Sequence, residues 1–144
     1  MSNTLYERDF YAWANEQAAF LRAGKLDCAD IDNIAEEIES MGRSEKRELV
    51  SRLTVLLLHL LQWQYQPERR GKSWRITIEQ QRGDIDEHIA DNPSLKPLVG
   101  SAIASAYRKA RLEAERETDL DRDAFPAACP FTFEQMMDEA YWPE

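Results

Sequence analysis

The sequence contains few of the residues that mark specialised protein classes. Its 144 residues include only two cysteines, five glycines and six prolines. So few glycines and prolines exclude collagen-like and low-complexity chains, and two cysteines are too few for a disulfide scaffold. No apolar run approaches the length of about 18 residues that a membrane-spanning helix needs. The first ten residues, MSNTLYERDF, lack the basic and apolar regions of a secretory signal. We therefore expect a cytoplasmic protein in which Cys28 and Cys129, neither within a C-x-x-C motif, are free thiols.

The charge is strongly negative and unevenly distributed. The formal net charge is −9. Residues 1–41 contain three basic and nine acidic side chains, residues 42–82 contain nine and four, and residues 83–144 contain six and fourteen. Because neutralisation of phosphates dominates affinity for nucleic acids, this balance argues against a general nucleic-acid binder. The basic middle segment either complements the acidic segments within one fold or forms an anion-binding patch on an acidic surface.

Apolar residues recur at three- to four-residue spacing along the first half of the chain, which is typical of helices. One helix is predicted over 4–23, and Gly24 ends it. The segment 54–61, TVLLLHLL, is apolar on nearly all sides and predicts a central helix, which Pro67 ends. Because an unbroken helix over 30–66 would be about 55 Å long, we expect a break near Met41–Ser44. Between the first helix and this break runs a second apolar stripe, formed by Ile31, Ile34, Ala35, Ile38 and Met41.

The second half of the chain continues the helical pattern. Ser73 predicts the N-cap of a third helical segment, and an alanine-rich helix follows Pro93. Thr132-x-x-Gln135 is a capping box, which predicts a short last helix ending near Tyr141. No segment shows the alternation typical of strands. The sequence therefore predicts an all-α fold, a bundle of five to six helices that forms a single helical domain over residues 1–144.

Several segments carry a resemblance to a known family. HLLQWQYQPERR (59–70), followed by SWRITIEQQR (73–82), closely resembles uncharacterised bacterial proteins known as the domain of unknown function 29 family. Supporting segments extend along the chain, among them YERDFYAWANEQAAFLRAG (6–24) and CPFTFEQMMDEAYWP (129–143). The resemblance implies an all-helical bacterial domain with no assigned activity and no established catalytic residues.

The sequence offers no recognisable catalytic or metal-binding motif. His59 and His88 lie in different predicted helices without metal-ligand spacing, and no serine lies in a G-x-S-x-G context. Two acidic pairs on separate helices would suit Mg²⁺ only if they faced each other, and the helical wheel turns the first pair toward solvent. These pairs are Glu36 with Glu39 and Asp84 with Glu87. We predict no catalytic residue, no metal and no cofactor.

A basic block around a predicted turn is the best indication of a binding site. Basic side chains at the N-terminus of a helix favour an anion, and nearby tryptophans could stack on a base. Alternatively, the arginines bind acidic helices of the same chain and the tryptophans belong to the core. The candidates for anion binding are Arg69, Arg70, Lys72, Ser73 and Arg75, and those for stacking are Trp63 and Trp74.

Arg82 lies within the apolar stripe of the third helical segment, about 40° from Ile78 on the helical wheel. A buried guanidinium must be paired, because an unpaired buried charge is strongly destabilising. We predict a buried ion pair with a carboxylate at the edge of the core, and Glu37 is the first choice. The alternative is that the Arg82 head group extends into water while its stem covers the core.

These observations favour a non-catalytic protein–protein interaction domain whose acidic surface meets a basic protein partner. The alternative is a phosphate- or nucleotide-binding protein, including a Mg²⁺-dependent hydrolase, that uses residues 69–75. A pocket joining Arg70, Trp74 and a carboxylate pair would favour the alternative. The sequence indicates neither the identity of the partner nor the oligomeric state.

Overall fold

The structure, a computed structural model, describes residues 4–144. These residues form six α-helices and no strand, which confirms the predicted all-α class. None of the described helices combines the length and the apolar character needed to cross a membrane. The helices are α1 (Leu5–Arg8), α2 (Phe10–Arg22), α3 (Ile31–Tyr65), α4 (Lys72–Asp91), α5 (Val99–Glu117) and α6 (Phe133–Met137). Short 3₁₀ segments occupy Pro67–Arg69, Pro93–Leu98 and Arg122–Ala124.

The chain divides into two compact units, one ending at Ser44 and the other comprising Glu45–Glu144. Helix α3 begins in the first unit and ends in the second. The single domain expected over residues 1–144 stays a prediction.

Hydrogen bonds and aromatic contacts organise the first unit. The side chain of Asp9 accepts from the backbone N–H of Ala12 at 3.1 Å and caps the start of α2. The single helix predicted over 4–23 is therefore two helices, α1 and α2, which are separated at Asp9. Trp13 is buried, packs edge-on against Tyr6 with 4.7 Å between ring centroids, and donates from Nε1 to Asp30 at 3.1 Å. As predicted, Gly24 follows α2. Its φ of 72° is a backbone conformation that residues other than glycine rarely adopt.

Helix α3 is unbroken over its 35 residues, so the break predicted near Met41–Ser44 is wrong. A glycine inside a helix lowers its stability by about 1 kcal/mol relative to alanine but does not interrupt the hydrogen bonds. The guanidinium of Arg43 also bonds two carboxylates earlier in the helix, Glu36 at 3.0 Å and Glu39 at 3.8 Å. These contacts cross Gly42 and support the helix there.

The second half of α3 forms the core of the second unit, which confirms the central helix predicted at 54–61. Burial of each leucine contributes roughly 1.5–3 kcal/mol relative to an exposed side chain. Helix α5 packs on this core through small residues, and the residues that follow it close the core with Phe125 and Met136. The fully buried leucines are Leu49, Leu53, Leu56, Leu57, Leu60 and Leu61, and the alanines of α5 are Ala102, Ala106, Ala110 and Ala114.

The ends of the later helices differ in part from the predicted ones. Gly71, in extended conformation, is the N-cap of α4, so Ser73 lies inside the first turn and is not the cap. The predicted capping box is confirmed, because Thr132 and Gln135 exchange hydrogen bonds of 3.1 and 3.0 Å. Helix α6 nevertheless ends at Met137, four residues before the predicted end.

Candidate functional site

Within the predicted basic block, Arg70 is held by contacts inside the second unit. Its Nε donates to the carbonyl oxygen of Trp63 at 2.6 Å, and its Nη2 donates to the carbonyl oxygen of Pro143 at 3.3 Å. The guanidinium also lies over the Trp63 ring, 5.4 Å from the centroid. These contacts connect the end of α3 with the C-terminal residues. Arg70 is therefore engaged with carbonyl groups and an aromatic ring of its own chain.

The other members of the block have different surroundings. Arg75 binds Glu79 at 2.9 Å, one turn further along α4. Arg69, Lys72 and Ser73 are exposed. Within residues 4–144, the side chains of these three make no recorded polar contact, unlike those of Arg70 and Arg75. Three of the five predicted anion-binding residues are thus both exposed and without such a contact.

The two stacking candidates are half-buried. Trp63 packs on Trp142, with 4.7 Å between ring centroids, and lies beneath Arg70. Trp74 is in the first turn of α4. The face of Trp63 is thus occupied by side chains of the same chain, as in the alternative in which the tryptophans belong to the core.

Arg82 is buried, at 3% exposure, and hydrogen-bonds carbonyl oxygens rather than the predicted carboxylate. Its Nε donates to Met136 at 2.6 Å, and its Nη2 donates to Tyr141 at 2.8 Å. Burial lowers the pKa of Arg82 from its usual value. The carboxylate of Glu37 instead accepts from the hydroxyl of Tyr6 at 3.0 Å, which raises the pKa of Tyr6. The partner differs because helix-end carbonyl groups are free to accept, a feature that a helical wheel does not contain.

A polar cluster on α3 and α4 has no counterpart among the predicted sites. His88, 7% exposed, places Nε2 2.9 Å from the carbonyl oxygen of Glu45 and Nδ1 3.0 Å from Oε2 of Glu48. Both partner atoms accept hydrogen bonds, so His88 donates to at least one of them. The same Glu48 oxygen accepts from Arg52 Nε at 3.2 Å, and Arg52 also binds Asp84 at 3.1 Å.

This cluster brings together three side chains that are able to ligate a metal. One ligand atom from each of Glu45, Glu48 and His88 lies within 4.8 Å of the others. The guanidinium of Arg52 beside Glu48 repels a divalent cation and already forms ion pairs with Glu48 and Asp84. The arrangement therefore works chemically as an ionic network that joins α3 to α4. Sequence spacing did not indicate it, because the two helices are far apart in the chain.

An exposed apolar surface lies in the first unit. The sequence showed an apolar stripe at the start of α3, and in the structure Ile31, Ile38 and Met41 of this stripe are 53%, 58% and 62% exposed. Of the ten large apolar side chains exposed within residues 4–144, seven belong to the first unit. We use the name apolar stripe for Ile31, Ile34, Ile38 and Met41, which follow one another at spacings of three and four residues. Exposed apolar side chains that share one face of a helix are a feature of interaction sites.

Acidic side chains lie on the same helix as the apolar stripe but on its other faces. Asp32, Glu36 and Glu39 are exposed on the same helix. Residues 1–44 contain four basic and nine acidic side chains. The first unit thus combines an exposed apolar stripe with an excess of negative charge.

One family model matches the chain over residues 5–142, that of the domain of unknown function DUF29. The chain belongs to this family. The DUF29 match includes both the apolar stripe and the basic block, and the family description assigns neither of them a role. No curated protein and no solved structure shows a significant match to the chain.

Proposed function

We propose that this DUF29 domain is a protein–protein interaction domain without catalysis of its own, and that the apolar stripe is its contact surface. The observation that carries the proposal is the exposure of Ile31, Ile38 and Met41 on one helix. Complete burial of a large apolar side chain contributes roughly 1.5–3 kcal/mol, and these three side chains, at 53–62% exposure, forgo about half of that each. A partner that covers them would recover that energy.

The net negative charge of residues 1–44 favours a partner of basic character. Side chains at three- and four-residue spacing on one helix suit an amphipathic helix of the partner, which would lay its apolar face along them. Lysine or arginine on that helix would be attracted by the excess of acidic side chains in residues 1–44. A second copy of this chain is a poorer partner, because two strongly acidic surfaces would face each other. The proposed partner is therefore a basic amphipathic helix of another protein.

Two designed peptides of equal length test this proposal. One is an amphipathic helix of leucine and lysine, and the other carries glutamate in place of each lysine. We expect the lysine peptide to bind and the glutamate peptide to bind at least about tenfold more weakly, since complementary charge favours the first and like charge opposes the second. Fluorescence anisotropy of labelled peptides measures both affinities.

Variants locate the binding surface. Ile38→Asp should abolish binding of the lysine peptide, whereas Ile76→Asp, at an exposed isoleucine of α4, should leave it unchanged. Equal binding of both peptides, or equal loss in both variants, would refute the proposal. Sedimentation that shows self-association through the stripe, lost in Ile38→Asp, would replace the basic partner with a second copy.

The alternative, phosphate or nucleotide binding by residues 69–75, has weaker support. Arg70 and Arg75 are engaged with groups of the same chain. Calorimetric titration with tripolyphosphate tests this alternative directly, and we expect no heat of binding. Saturable heat that disappears in Arg69→Ala with Lys72→Ala would favour it over the interaction domain.

A further inference from the structure

We propose that a cavity beside α5 binds a small organic anion, with a carboxylate or phosphate head and an apolar body. The cavity has a volume of about 590 Å³, within the range of roughly 300–1,000 Å³ that is usual for ligand pockets. It lies in the second unit and is lined by α5, by Arg122 and by residues 127–129. It is separate from the apolar stripe, which belongs to the first unit.

The charge of the cavity walls is opposite to that of the chain. Three arginines line the cavity, namely Arg108, Arg111 and Arg122, and no Asp or Glu is among its described lining residues. Residues 83–144, which supply all three, contain only six basic side chains against fourteen acidic ones. Half of the basic residues of this acidic segment therefore converge on one cavity.

Two of these arginines, Arg122 and Arg111, already have partners within the chain. Arg122 is fully engaged, with Nε and Nη2 at 3.2 and 3.1 Å from Glu115. Arg111 is 3.8 Å from the fully exposed carboxylate of Asp123 and donates from Nη2 to the carbonyl oxygen of Phe125 at 3.2 Å. Arg111 also carries a buried Nε that has no acceptor within residues 4–144. A buried donor without an acceptor is rare in proteins.

Arg108 and Arg111 are neighbours on one face of α5, three residues apart. Like charges at this spacing destabilise a helix. An anion between the two guanidinium groups would remove this repulsion. It would also receive paired N–H donors in the fork geometry that suits carboxylate and phosphate oxygens.

The rest of the lining is apolar or neutral. Ile103, Ala104 and Leu112 contribute carbon atoms. The hydroxyl of Tyr107 donates to the carbonyl oxygen of Pro126 at 2.6 Å, and burial raises the pKa of Tyr107 to about 12. Burial also raises the pKa of the Cys129 thiol. Both groups therefore stay uncharged near neutral pH, and the positive charge of the arginines is not offset by them.

Three probes with the same naphthalene body test the proposal: 1-naphthaleneacetate, 1-naphthyl phosphate and the neutral 2-(1-naphthyl)ethanol. Affinities are measured by calorimetry. The site is located by protection of Cys129 from N-ethylmaleimide in a Cys28→Ser background. We expect at least one anion to bind and protect Cys129, and the alcohol to do so at least about tenfold more weakly, because it offers no charge to the guanidinium groups.

Matched variants distinguish the contribution of the arginine charge from that of the open cavity volume. Arg108→Gln should weaken anion binding by about tenfold or more. Arg116→Gln should not, since Arg116 is on the same helix but 77% exposed and paired with Glu113. Ala104→Phe, at an exposed position of the lining, should block binding while all three arginines remain.

Each outcome either supports or overturns the proposed anion site. Binding of the acetate alone or of the phosphate alone supports the site and identifies its head group. Equal protection by the alcohol, no protection by any probe, or equal weakening in Arg108→Gln and Arg116→Gln would overturn it. Ile38→Asp should bind the anions normally, so failure of this proposal and failure of the proposed interaction surface are distinguishable.

Discussion

The Nε of Arg82 donates to the carbonyl oxygen of Met136 at 2.6 Å and thereby connects α4 with α6. Met136 is the second-last residue of α6, so its carbonyl group has no partner within the helix. Nη2 of the same guanidinium bonds Tyr141 at 2.8 Å, and the guanidinium lies 5.2 Å from the ring centroid of Trp142. Arg82 thus satisfies carbonyl groups where α6 ends and holds the C-terminal residues on α4.

We expect Arg82→Met to lower the free energy of unfolding by roughly 2–4 kcal/mol, because it removes charge-assisted hydrogen bonds and leaves buried carbonyl groups without donors. The control is Arg75→Met on the same helix. Arg75 is exposed and paired only with Glu79, so its loss should change stability by less than about 0.5 kcal/mol. Urea denaturation followed by circular dichroism measures both variants. Similar values for the two would show that the Arg82 contacts contribute little.

Arg70 and Lys72 are two residues apart but should respond differently to truncation. Arg70→Ala removes two hydrogen bonds to carbonyl groups and the contact with the Trp63 ring, so we expect a loss of roughly 1–3 kcal/mol. Lys72→Ala removes only an exposed charge and should change stability by less than about 0.5 kcal/mol. Thermal unfolding of the two variants provides the comparison. Equal stability of the two variants would show that the intramolecular contacts of Arg70 contribute little to the fold, so that its side chain is available to bind a ligand.

The cluster around His88 makes a third prediction. His88→Leu removes two polar contacts of a buried side chain, to the Glu45 carbonyl oxygen and to the Glu48 carboxylate, and we expect it to lower the free energy of unfolding by roughly 1–3 kcal/mol. His59→Leu is the control, since His59 bonds only the carbonyl oxygen of Val55 in its own helix and should change stability less.

A metal test accompanies these variants. Because Arg52 lies against Glu48, the melting temperature should not change with EDTA or with added Zn²⁺. A rise with Zn²⁺ in the wild type, absent from His88→Leu, would show that the cluster binds a metal and is more than an ionic network.

The helix through Gly42 can be tested with a pair of glycines. A Cβ at Gly42 would meet no atom within 4 Å, so Gly42→Ala should raise the free energy of unfolding by about 0.5–1 kcal/mol. Gly24 has φ of 72°, so Gly24→Ala should lower it, since alanine is strained in this conformation. Chemical denaturation measures both. If Gly42→Ala were destabilising, the helix would not be continuous at this point.

Some local features of the fold were predictable from the sequence, whereas the N-cap of α4, the continuity of α3 and the pairings between distant segments were not. Pro67, Gly24 and the Thr132–Gln135 capping box act within a few residues, so their positions indicated helix ends correctly. The partner of Arg82 depends on where α6 ends and how it packs on α4, which periodicity does not contain. The exposure of the apolar stripe could not be predicted for the same reason. The spacing of Ile31 and Ile38 indicates an apolar face but not whether other parts of the chain cover that face.

The two cysteines should differ in reactivity. Cys28 is exposed, whereas Cys129 is half-buried and hydrogen-bonds the carbonyl oxygen of Phe131 through its sulfur at 3.4 Å. Burial raises the pKa of Cys129 above its usual value. At pH 8 a raised pKa means a smaller fraction of thiolate, and the thiolate is the species that iodoacetamide alkylates. Cys28 should therefore be modified first, and mass spectrometry after timed quenching measures the order.

The pH dependence of the same reaction provides the decisive check. The folded state holds the proton of Cys129 more tightly than the unfolded chain does, so the rate at Cys129 should still be rising at a pH where an ordinary thiol has levelled off. In urea, where burial is lost, the two cysteines should react at similar rates. A Cys129 that reacts as fast as Cys28 in the native protein at pH 8 would mean that its side of the α5 cavity is open to water and does not desolvate the thiol.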